Sequence, residues 1–382
     1  MLRKDAGSNL PSAAWLGKRF ALTWYARTPG EKVSFEQKFA LLEPEGEVVG
    51  TKFLDLTPVD GASSVMGRLR VGPPGTLGLV WQDDASGQRT ATFRTLDFTG
   101  KPTSEPMALW KEKVPHADQA ALAWNEKTKS WLFVFQGTEP TARAGYVTHH
   151  LFATTVPSKG APLRLDVDES IVGSHGLSVE ARGECGVTAW EASSKAIVLA
   201  TFCGEKVQRI KVSDASAKAP TQPTLALRPD GSVLVAWVDE APPAPVKSPP
   251  TPESGGGSAP SRPLNAPPPT GLPRRSVAFA LVDASGTVKV RGRLDAGGDA
   301  EVPVVAAAES GWFVAWSSAA ERKDTAFSAR ISPEGNQQGP LTALNAPVAG
   351  PTWVSLASRP GAVGVLISQP NDADCAVAWA PL

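Results

Sequence analysis

Short runs of apolar and β-branched residues alternate with turn-forming residues along almost the whole chain. Runs that are rich in Val, Leu, Phe, Trp and Thr and bounded by Gly, Pro or Asp are typical of β-strands. The 35 Gly and 35 Pro residues are spread too densely for long helices. The pattern therefore predicts an all-β protein. In the first repeat the runs cover residues 12–16, 19–25, 33–42 and 47–54.

This group of four runs recurs with a period of about 50 residues, which is typical of a β-propeller. Five repeats carry two small or apolar residues followed by Trp, and Val134-Phe135 fills the slot of a sixth. We expect a seven-bladed propeller of four-stranded antiparallel sheets, with six or eight blades as alternatives for the count. The Trp copies are Leu22-Thr23-Trp24, Leu79-Val80-Trp81, Thr188-Ala189-Trp190, Val235-Ala236-Trp237 and Val314-Ala315-Trp316.

The seventh repeat ends one strand short, and the start of the chain resembles the missing strand. Residues 2–7 read Leu-Arg-Lys-Asp-Ala-Gly and echo residues 293–297, Arg-Leu-Asp-Ala-Gly. We expect residues 1–5 to pair as an outermost strand with the seventh sheet, since closing the ring removes exposed sheet edges. On this interpretation, residues 1–382 form a single propeller domain.

Residues 241–273 interrupt the repeat with a Pro-rich segment that includes Gly255-Gly256-Gly257. Such a segment buries too little apolar surface to offset the entropy lost on ordering. We expect a disordered loop inside the fifth repeat, between its second and third strands.

The recurrent Trp residues are interpreted as core, because a large aromatic side chain fills the space between neighbouring sheets. Trp110 and Trp353 fall outside the repeated slot. They are therefore the better candidates for exposed binding contacts.

Two of the three cysteines are spaced for a cross-strand pair. If residues 186–191 and 195–202 form a hairpin centred near residue 194, Cys185 and Cys203 face each other at disulfide distance. The alternative is a pair of buried reduced thiols. A disulfide implies an oxidising compartment and leaves Cys375 as the odd cysteine, either free or paired between molecules.

Lys and Arg total 38, as do Asp and Glu, so the formal net charge is zero. A non-specific nucleic-acid binder would carry a basic excess, so we expect no nucleic-acid partner. We expect no transmembrane segment either, because the chain has no run of about 18 apolar residues. Residues 1–9 lack the apolar region of a signal peptide. Either the protein is cytoplasmic or an export signal has been removed. The cysteine pair favours an extracytoplasmic protein: periplasmic, outer-membrane-associated or secreted.

The sequence contains no catalytic motif, and its four His residues lack metal-ligand spacing. The densest ligand-like cluster is Asp166, Asp168 and Glu169 with His175, in a loop between repeats. Alternating carboxylates of this kind can hold Ca²⁺, the one cofactor we consider. Arg274 and Arg275 lie on a loop of the same predicted face and complete the set of binding candidates.

The whole chain resembles bacterial repeat propellers, especially exported ones with Val-Ala-Trp blades. The resemblance rests on Val235-Ala236-Trp237 with the turn at 283–286, and on Val314-Ala315-Trp316 with the turn at 332–335. Residues 228–231, Arg-Pro-Asp-Gly, look like the Pro-Asp-Gly turn of periplasmic TolB-like propellers. The resemblance implies the fold and export.

Two functions fit these observations. The first is a non-enzymatic binding or scaffold module of the bacterial envelope or cell surface, with a protein or glycan partner and a place in an envelope complex. The second is a carbohydrate-active hydrolase or lyase with carboxylates at the axial mouth. The first is favoured, because the chain has no catalytic motif.

Overall fold

The computed structural model is built from β-strands joined by turns and loops. Among the described residues no helix has the length and apolarity needed to cross a membrane. The structure describes residues 9–27, 35–45, 47–54, 56, 63–84, 89–110, 117–140, 147–157, 160–167, 170–171, 177–241, 274–320, 323–344, 348–349, 353–359, 362–368 and 376–381.

The first three sheets are antiparallel and follow the predicted four-strand pattern, with the strands in chain order. Sheet one contains β1 (Asn9–Trp15), β2 (Phe20–Arg27), β3 (Phe35–Leu42) and β4 (Val48–Phe53). Sheet two contains β5 (Ser64–Val71), β6 (Thr76–Asp83), β7 (Thr90–Asp97) and β8 (Met107–Ala108). Sheet three contains β9 (Ala117–Asn125), β10 (Ser130–Pro140), β11 (Val147–Val156) and β12 (Leu163–Arg164).

Four further antiparallel sheets follow. Sheet four contains β13 (Ser170–Ile171), β14 (Val179–Arg182), β15 (Cys185–Ala192), β16 (Ala196–Cys203) and β17 (Lys206–Lys211). Sheet five contains β18 (Thr221–Leu227), β19 (Val233–Glu240), β20 (Arg275–Val282) and β21 (Val288–Leu294). Sheet six contains β22 (Asp299–Ala308), β23 (Gly311–Ala320), β24 (Lys323–Ile331), β25 (Gln337–Ala343) and β26 (Val348–Ala349). Sheet seven contains β27 (Trp353–Arg359), β28 (Ala362–Ser368) and β29 (Ala376–Pro381).

The sheets form a β-propeller, in which the innermost strands of successive sheets lie against one another. The order of these strands is β1, β5, β9, β14, β18, β22 and β27, and β27 lies against β1. Six sheets have four strands or more, and the seventh has three. The structure therefore shows six complete blades, the number given as an alternative, rather than seven. The closing strand expected at residues 1–5 lies outside the described residues.

The outer strands of sheets two and three are shorter than the sequence pattern predicts. The fourth run of repeat two, residues 101–109, forms only the two-residue strand β8. Pro102 and Pro106 lie in this run and have no backbone N–H for a sheet ladder. In sheet three, β12 ends at Arg164, and the carboxylate of Asp166 accepts the hydrogen bond of Leu151 N–H at 2.9 Å. A side chain thus replaces the next strand partner.

The repeated aromatic residues lie on the second strand of their sheets and are buried between neighbouring sheets. Trp81, for example, is 1% exposed and packs with Ala14 of the preceding sheet. The other copies, Trp24, Phe135, Trp190, Trp237 and Trp316, are at most 3% exposed. Burial of this kind stabilises a fold by roughly 25 cal/mol per Å² of apolar surface. The interpretation of the recurrent Trp as core is confirmed.

The innermost strands of sheets two, three, five and six share a β-bulge near their start. Met66, Gln119, Gln222 and Val302 all have φ between 49° and 57°, the left-handed region that non-Gly residues rarely occupy. In each case the ladder to the second strand shifts register at this point. Because the bulge recurs at one level of the ring, it is a feature of the repeat.

Sheet four contains the predicted disulfide. Gly186 opposes Phe202 and Ala192 opposes Ala196, the register expected for a hairpin centred at residue 194. Cys185 and Cys203 therefore meet, with their Cα atoms 4.4 Å apart, and are bonded. The prediction of this pair is confirmed, whereas Cys375 lies outside the described residues.

The Pro-rich segment joins β19 to β20, as the frame of the repeat predicts. Ala241 N–H donates to the carbonyl of Arg274 at 2.6 Å, one step beyond the last strand pair of Glu240 with Arg275. Residues 242–273 themselves lie outside the described residues, so their disorder stays a prediction.

Candidate functional site

Two levels of the propeller axis are defined by strand register. At the first level, the upper rung, one residue of each inner strand opposes the residue just before the repeated aromatic slot, as Arg68 opposes Val80. At the second level, the lower rung, we take the inner-strand residue two positions further along the chain. It lies opposite the residue three positions before the aromatic slot, as Arg70 lies opposite Gly78. The upper rung consists of Ser12, Arg68, Ala121, Thr224 and Val304. Ser178 joins it by extending the register of β14 by one residue, and Ser355 joins it as the partner of Leu366, with Ile367 in the aromatic slot. The lower rung consists of Ala14, Arg70, Ala123, Glu180, Ala226, Ala306 and Ala357.

Small side chains dominate both rungs, and only Arg68, Arg70 and Glu180 carry charge. Arg70 Nη2 lies 3.9 Å from Glu180 Oε1, although the two residues belong to sheets two and four. At this level sheet three contributes only Ala123, so nothing long separates them. The pair therefore bridges sheets two and four, and the space between the inner strands at these two levels is here called the axial channel. Arg68 shares the face of Arg70, because residues two apart on a strand point the same way.

The three charged groups lie in an environment that disfavours charge. Burial, followed by the positive charge of Arg70, lowers the pKa of Arg68 to about 10. Burial raises the pKa of Glu180, and the positive charge of Arg70 opposes that shift. The side chains of Arg70 and Glu180 keep exposed fractions of 38% and 32%. Both side chains are thus partly exposed although they stand on innermost strands. At pH 7 the guanidinium of Arg68 remains charged.

One predicted binding residue lies on a wall of this channel. Trp353 begins β27, two residues before Ser355, and its half-buried side chain is on the same face of the strand. Inner strands start at the side where the loops between second and third strands emerge, here called the upper face. Trp353 is therefore placed at the upper mouth, where an aromatic ring can stack on a ligand.

A second cluster on the upper face surrounds Asp166. Arg164 Nε donates to Asp166 Oδ1 at 3.0 Å, and Arg164 Nη1 donates to Glu139 Oε2 at 3.3 Å. Arg164 Nη2 lies 2.8 Å from His150 Nδ1, and His150 Nε2 lies 3.0 Å from the hydroxyl of Thr148. The same Nδ1 lies 3.3 Å from Asp166 Oδ2. The cluster joins β10, β11 and β12 by charge-assisted hydrogen bonds.

Asp166, one of the expected calcium ligands, already has hydrogen-bond partners for its carboxylate. Asp166 is 5% exposed, and its oxygens already accept hydrogen bonds from Leu151 N–H and Arg164. The other expected ligands, Asp168, Glu169 and His175, lie outside the described residues. Within the described part of the chain, no group of three or more His, Cys, Asp or Glu side chains is arranged to hold a metal ion. Calcium binding at this loop stays a prediction.

Arg274 and Arg275 lie at the base of the Pro-rich segment, on the upper face. Arg274 Nη2 is 2.5 Å from Asp295 Oδ2, and Arg275 Nη2 is 2.6 Å from Glu301 Oε1. Nearby, Arg293 Nη2 is 2.9 Å from Asp239 Oδ2. Arg275 therefore links sheets five and six, Arg274 holds the connection between them, and both are already paired. Their role in binding stays a prediction.

Trp110 lies on the outer side of sheets two and three and is half-buried. Its ring packs edge-on against Phe152, with ring centres 4.5 Å apart, and against Phe135 at 5.8 Å. Part of its surface thus belongs to the core between these sheets. The expectation of an exposed contact here is not tested by this packing.

Sequence reasoning missed Arg68, Arg70 and Glu180. All three stand in runs that were correctly interpreted as inner strands, but charges on a strand normally point to solvent. The signal was present in the repeat itself. When the inner strands are aligned on the aromatic slot, these three residues stand where the other repeats carry Ser, Ala, Thr or Val.

Several solved structures share the fold. A protein of unknown function from Dyadobacter fermentans superposes with a TM-score of 0.52 at 10% identity, covering 85% of this chain and 96% of that one. The polysaccharide lyase Uly1 gives a TM-score of 0.50 at 7% identity, with coverage of 97% and 89%. An acylaminoacyl peptidase from Pyrococcus horikoshii gives 0.52 at 10% identity, covering this chain completely and 54% of its own.

At these identities the similarity concerns the fold alone, and the fold hosts unrelated functions. No protein-family model matches the sequence. No curated protein matches it either. The resemblance to TolB-like repeats is therefore limited to the short motifs quoted above, and the chain is similar to β-propeller proteins in architecture.

Proposed function

We propose that this protein is a non-enzymatic binding module that captures its partner, a protein or a glycan, at the upper face and axial mouth of the propeller. The observation that carries the proposal is a group of three charged side chains on the innermost strands, Arg68, Arg70 and Glu180, at levels where the other sheets carry small residues. A concave site with a few convergent polar groups is typical of ligand binding.

The carboxylates around this site are bound to cations. Glu180 pairs with Arg70, Asp166 and Glu139 pair with Arg164, and Glu301 pairs with Arg275. A carboxylate that already holds a guanidinium contributes to a hydrogen-bonded recognition surface rather than serving as a free base.

A carbohydrate-active hydrolase or lyase is the second candidate, favoured by one observation. The raised pKa of Glu180 is a property that a general acid requires. Glycoside hydrolysis needs a second carboxylate at roughly 5–10 Å. Among the described residues, Glu180 is the only carboxylate in the two rungs.

We further propose that the protein works outside the cytoplasm, in the envelope or at the cell surface. The Cys185–Cys203 disulfide supports this location, because such bonds persist in oxidising compartments. A seventh blade completed by residues 1–5 is proposed as well, since β29 otherwise leaves the outer edge of sheet seven unpaired among the described strands.

The test is binding of immobilised protein to an envelope extract and to a glycan array. We expect saturable binding that is lost in Trp353→Ala and Arg275→Ala on the upper face. It should be retained in Lys206→Ala, at an exposed turn on the opposite face. Turnover of glycans in a substrate panel, abolished by Glu180→Gln, would instead establish the enzyme.

A further inference from the structure

Arg68 carries a positive charge that no described residue neutralises. Its neighbour Arg70 has the carboxylate of Glu180 at 3.9 Å and the carbonyl of Leu69 at 3.3 Å. For Arg68, no hydrogen bond or ion pair occurs within the described part of the chain. A guanidinium offers five N–H donors, and the side chain of Arg68 is half-buried, so these donors keep contact with solvent.

The residues that share the upper rung with Arg68 have short side chains. The other six residues of the upper rung are Ser, Ala, Thr or Val, and Ser12 and Ser178 use their hydroxyls to accept backbone N–H groups of Leu69 and Leu225. These serines therefore hold the inner strands together. The donors of Arg68 remain available to an incoming group.

The Arg70–Glu180 pair lies one rung below Arg68, towards the lower face. A ligand that enters at the upper mouth therefore meets Arg68 before it meets Glu180. The three charges sum to plus one, so the channel favours an anion over a cation.

We propose that the axial channel binds the carboxylate of a small acidic molecule, which enters from the upper face and is held by Arg68. This inference rests on the proposed binding function and names its ligand class. The planar fork of a guanidinium matches the two oxygens of a carboxylate in a bidentate pair. Trp353 at the mouth supplies an apolar surface for the remainder of the molecule.

The experiment is isothermal titration calorimetry with glucuronate as the acidic probe and glucose as its neutral counterpart. We expect saturable binding of glucuronate and none of glucose under the same conditions. Arg68→Gln should weaken glucuronate binding at least tenfold, while Arg19→Gln, which removes a surface arginine paired with Glu43, should leave it unchanged.

For Glu180→Gln we predict tighter binding of glucuronate, a direction of change that the loss of a structural contact would not produce. Removal of the only carboxylate of the lower rung raises the positive charge of the channel, so glucuronate should bind several-fold more tightly. Thermal unfolding of each variant, measured alongside, separates loss of binding from loss of fold.

Three outcomes would overturn the inference: no glucuronate binding, equal binding by Arg68→Gln, or tighter binding of inorganic phosphate than of glucuronate. The proposed binding function fails separately. If glucuronate does not bind but partner capture persists and is lost in Trp353→Ala, the module stands and only the ligand assignment falls.

Discussion

The side chain of Gln222 in sheet five accepts a hydrogen bond of 2.8 Å from the backbone N–H of Val302 in sheet six. Both residues are bulge residues with positive φ, at 53° and 49°. A β-branched residue rarely adopts this conformation, which costs of order 1–3 kcal/mol and persists only where the surroundings hold it. Through this hydrogen bond the bulge in sheet five holds the bulge in sheet six in place.

Gln222→Ala should therefore destabilise the protein by about 1–3 kcal/mol, because it leaves a buried N–H without its acceptor. Urea unfolding measures the change. Gln208→Ala, at an exposed position on β17, is the matched control and should stay within about 0.5 kcal/mol of the parent. Equal effects of the two substitutions would show that the bulges do not depend on this bond.

The disulfide should contribute about 3 kcal/mol, as expected for a closed loop of this length, since Cys185 and Cys203 are 18 positions apart in the sequence. The double variant Cys185→Ser with Cys203→Ser should unfold at lower urea concentration than the parent. Reductant should shift the parent to the midpoint of the variant and leave the variant itself unchanged.

Alkylation provides an independent check of the same bond. In unfolded, non-reduced protein, one of the three cysteines should react, and all three should react after reduction. Complete alkylation without reduction would remove the main support for an extracytoplasmic location.

Gly292 on β21 lies beneath the ring of Phe279, its direct partner on β20. Gly292→Ala should cost about 1–3 kcal/mol, because a methyl group there overlaps the ring. Gly50→Ala is the control, since a methyl group on β4 meets nothing within 4 Å. A thermal shift for Gly50→Ala as large as that for Gly292→Ala would contradict the packing argument.

Asp283 makes the turn between β20 and β21 sensitive to acid. Hydrogen bonds from the Ser285 hydroxyl and Thr287 N–H, together with Lys289, hold the pKa of Asp283 well below its usual range. A carboxyl with a lowered folded pKa contributes stability above its unfolded pKa, near 3.9, and loses it as the pH falls. Asp283→Asn should therefore lower the melting temperature at pH 7 and make little difference at the lowest pH that the fold tolerates. A constant difference across this range would refute the assignment.

Replacement of residues 242–273 by a short Gly-containing turn should leave the melting temperature unchanged. The hydrogen bond from Ala241 to Arg274 already brings the ends of this segment together. Scattering and circular dichroism should show the same sheet content in both proteins. A large loss of stability would mean that the segment packs against the propeller.

The sequence pattern predicts those features that each repeat encodes locally. The turn at 283–286 forms as expected, with Gly286 N–H donating to the carbonyl of Asp283 at 3.0 Å, and the register of Cys185 with Cys203 follows from hairpin symmetry. Strand alternation is a local property of period two, and so is hairpin register.

The channel could not be predicted in this way, because it exists only between repeats. Arg70 and Glu180 are 110 positions apart in the sequence, and their meeting depends on the number and tilt of the sheets between them. The same holds for Arg209, whose Nε donates across sheets to the carbonyl of Leu165 at 2.6 Å. Such contacts are set by the curvature of the ring rather than by any one strand.

The contact between β27 and β1 has a consequence for how the gene could be rearranged. Because the last sheet lies beside the first, the order of sheets around the axis does not depend on where translation begins. A circular permutant that opens between Ala241 and Arg274, and connects the present ends through a linker, would present the same channel to its ligand. New fusion partners could then be attached beside the binding face instead of at the seam of the ring.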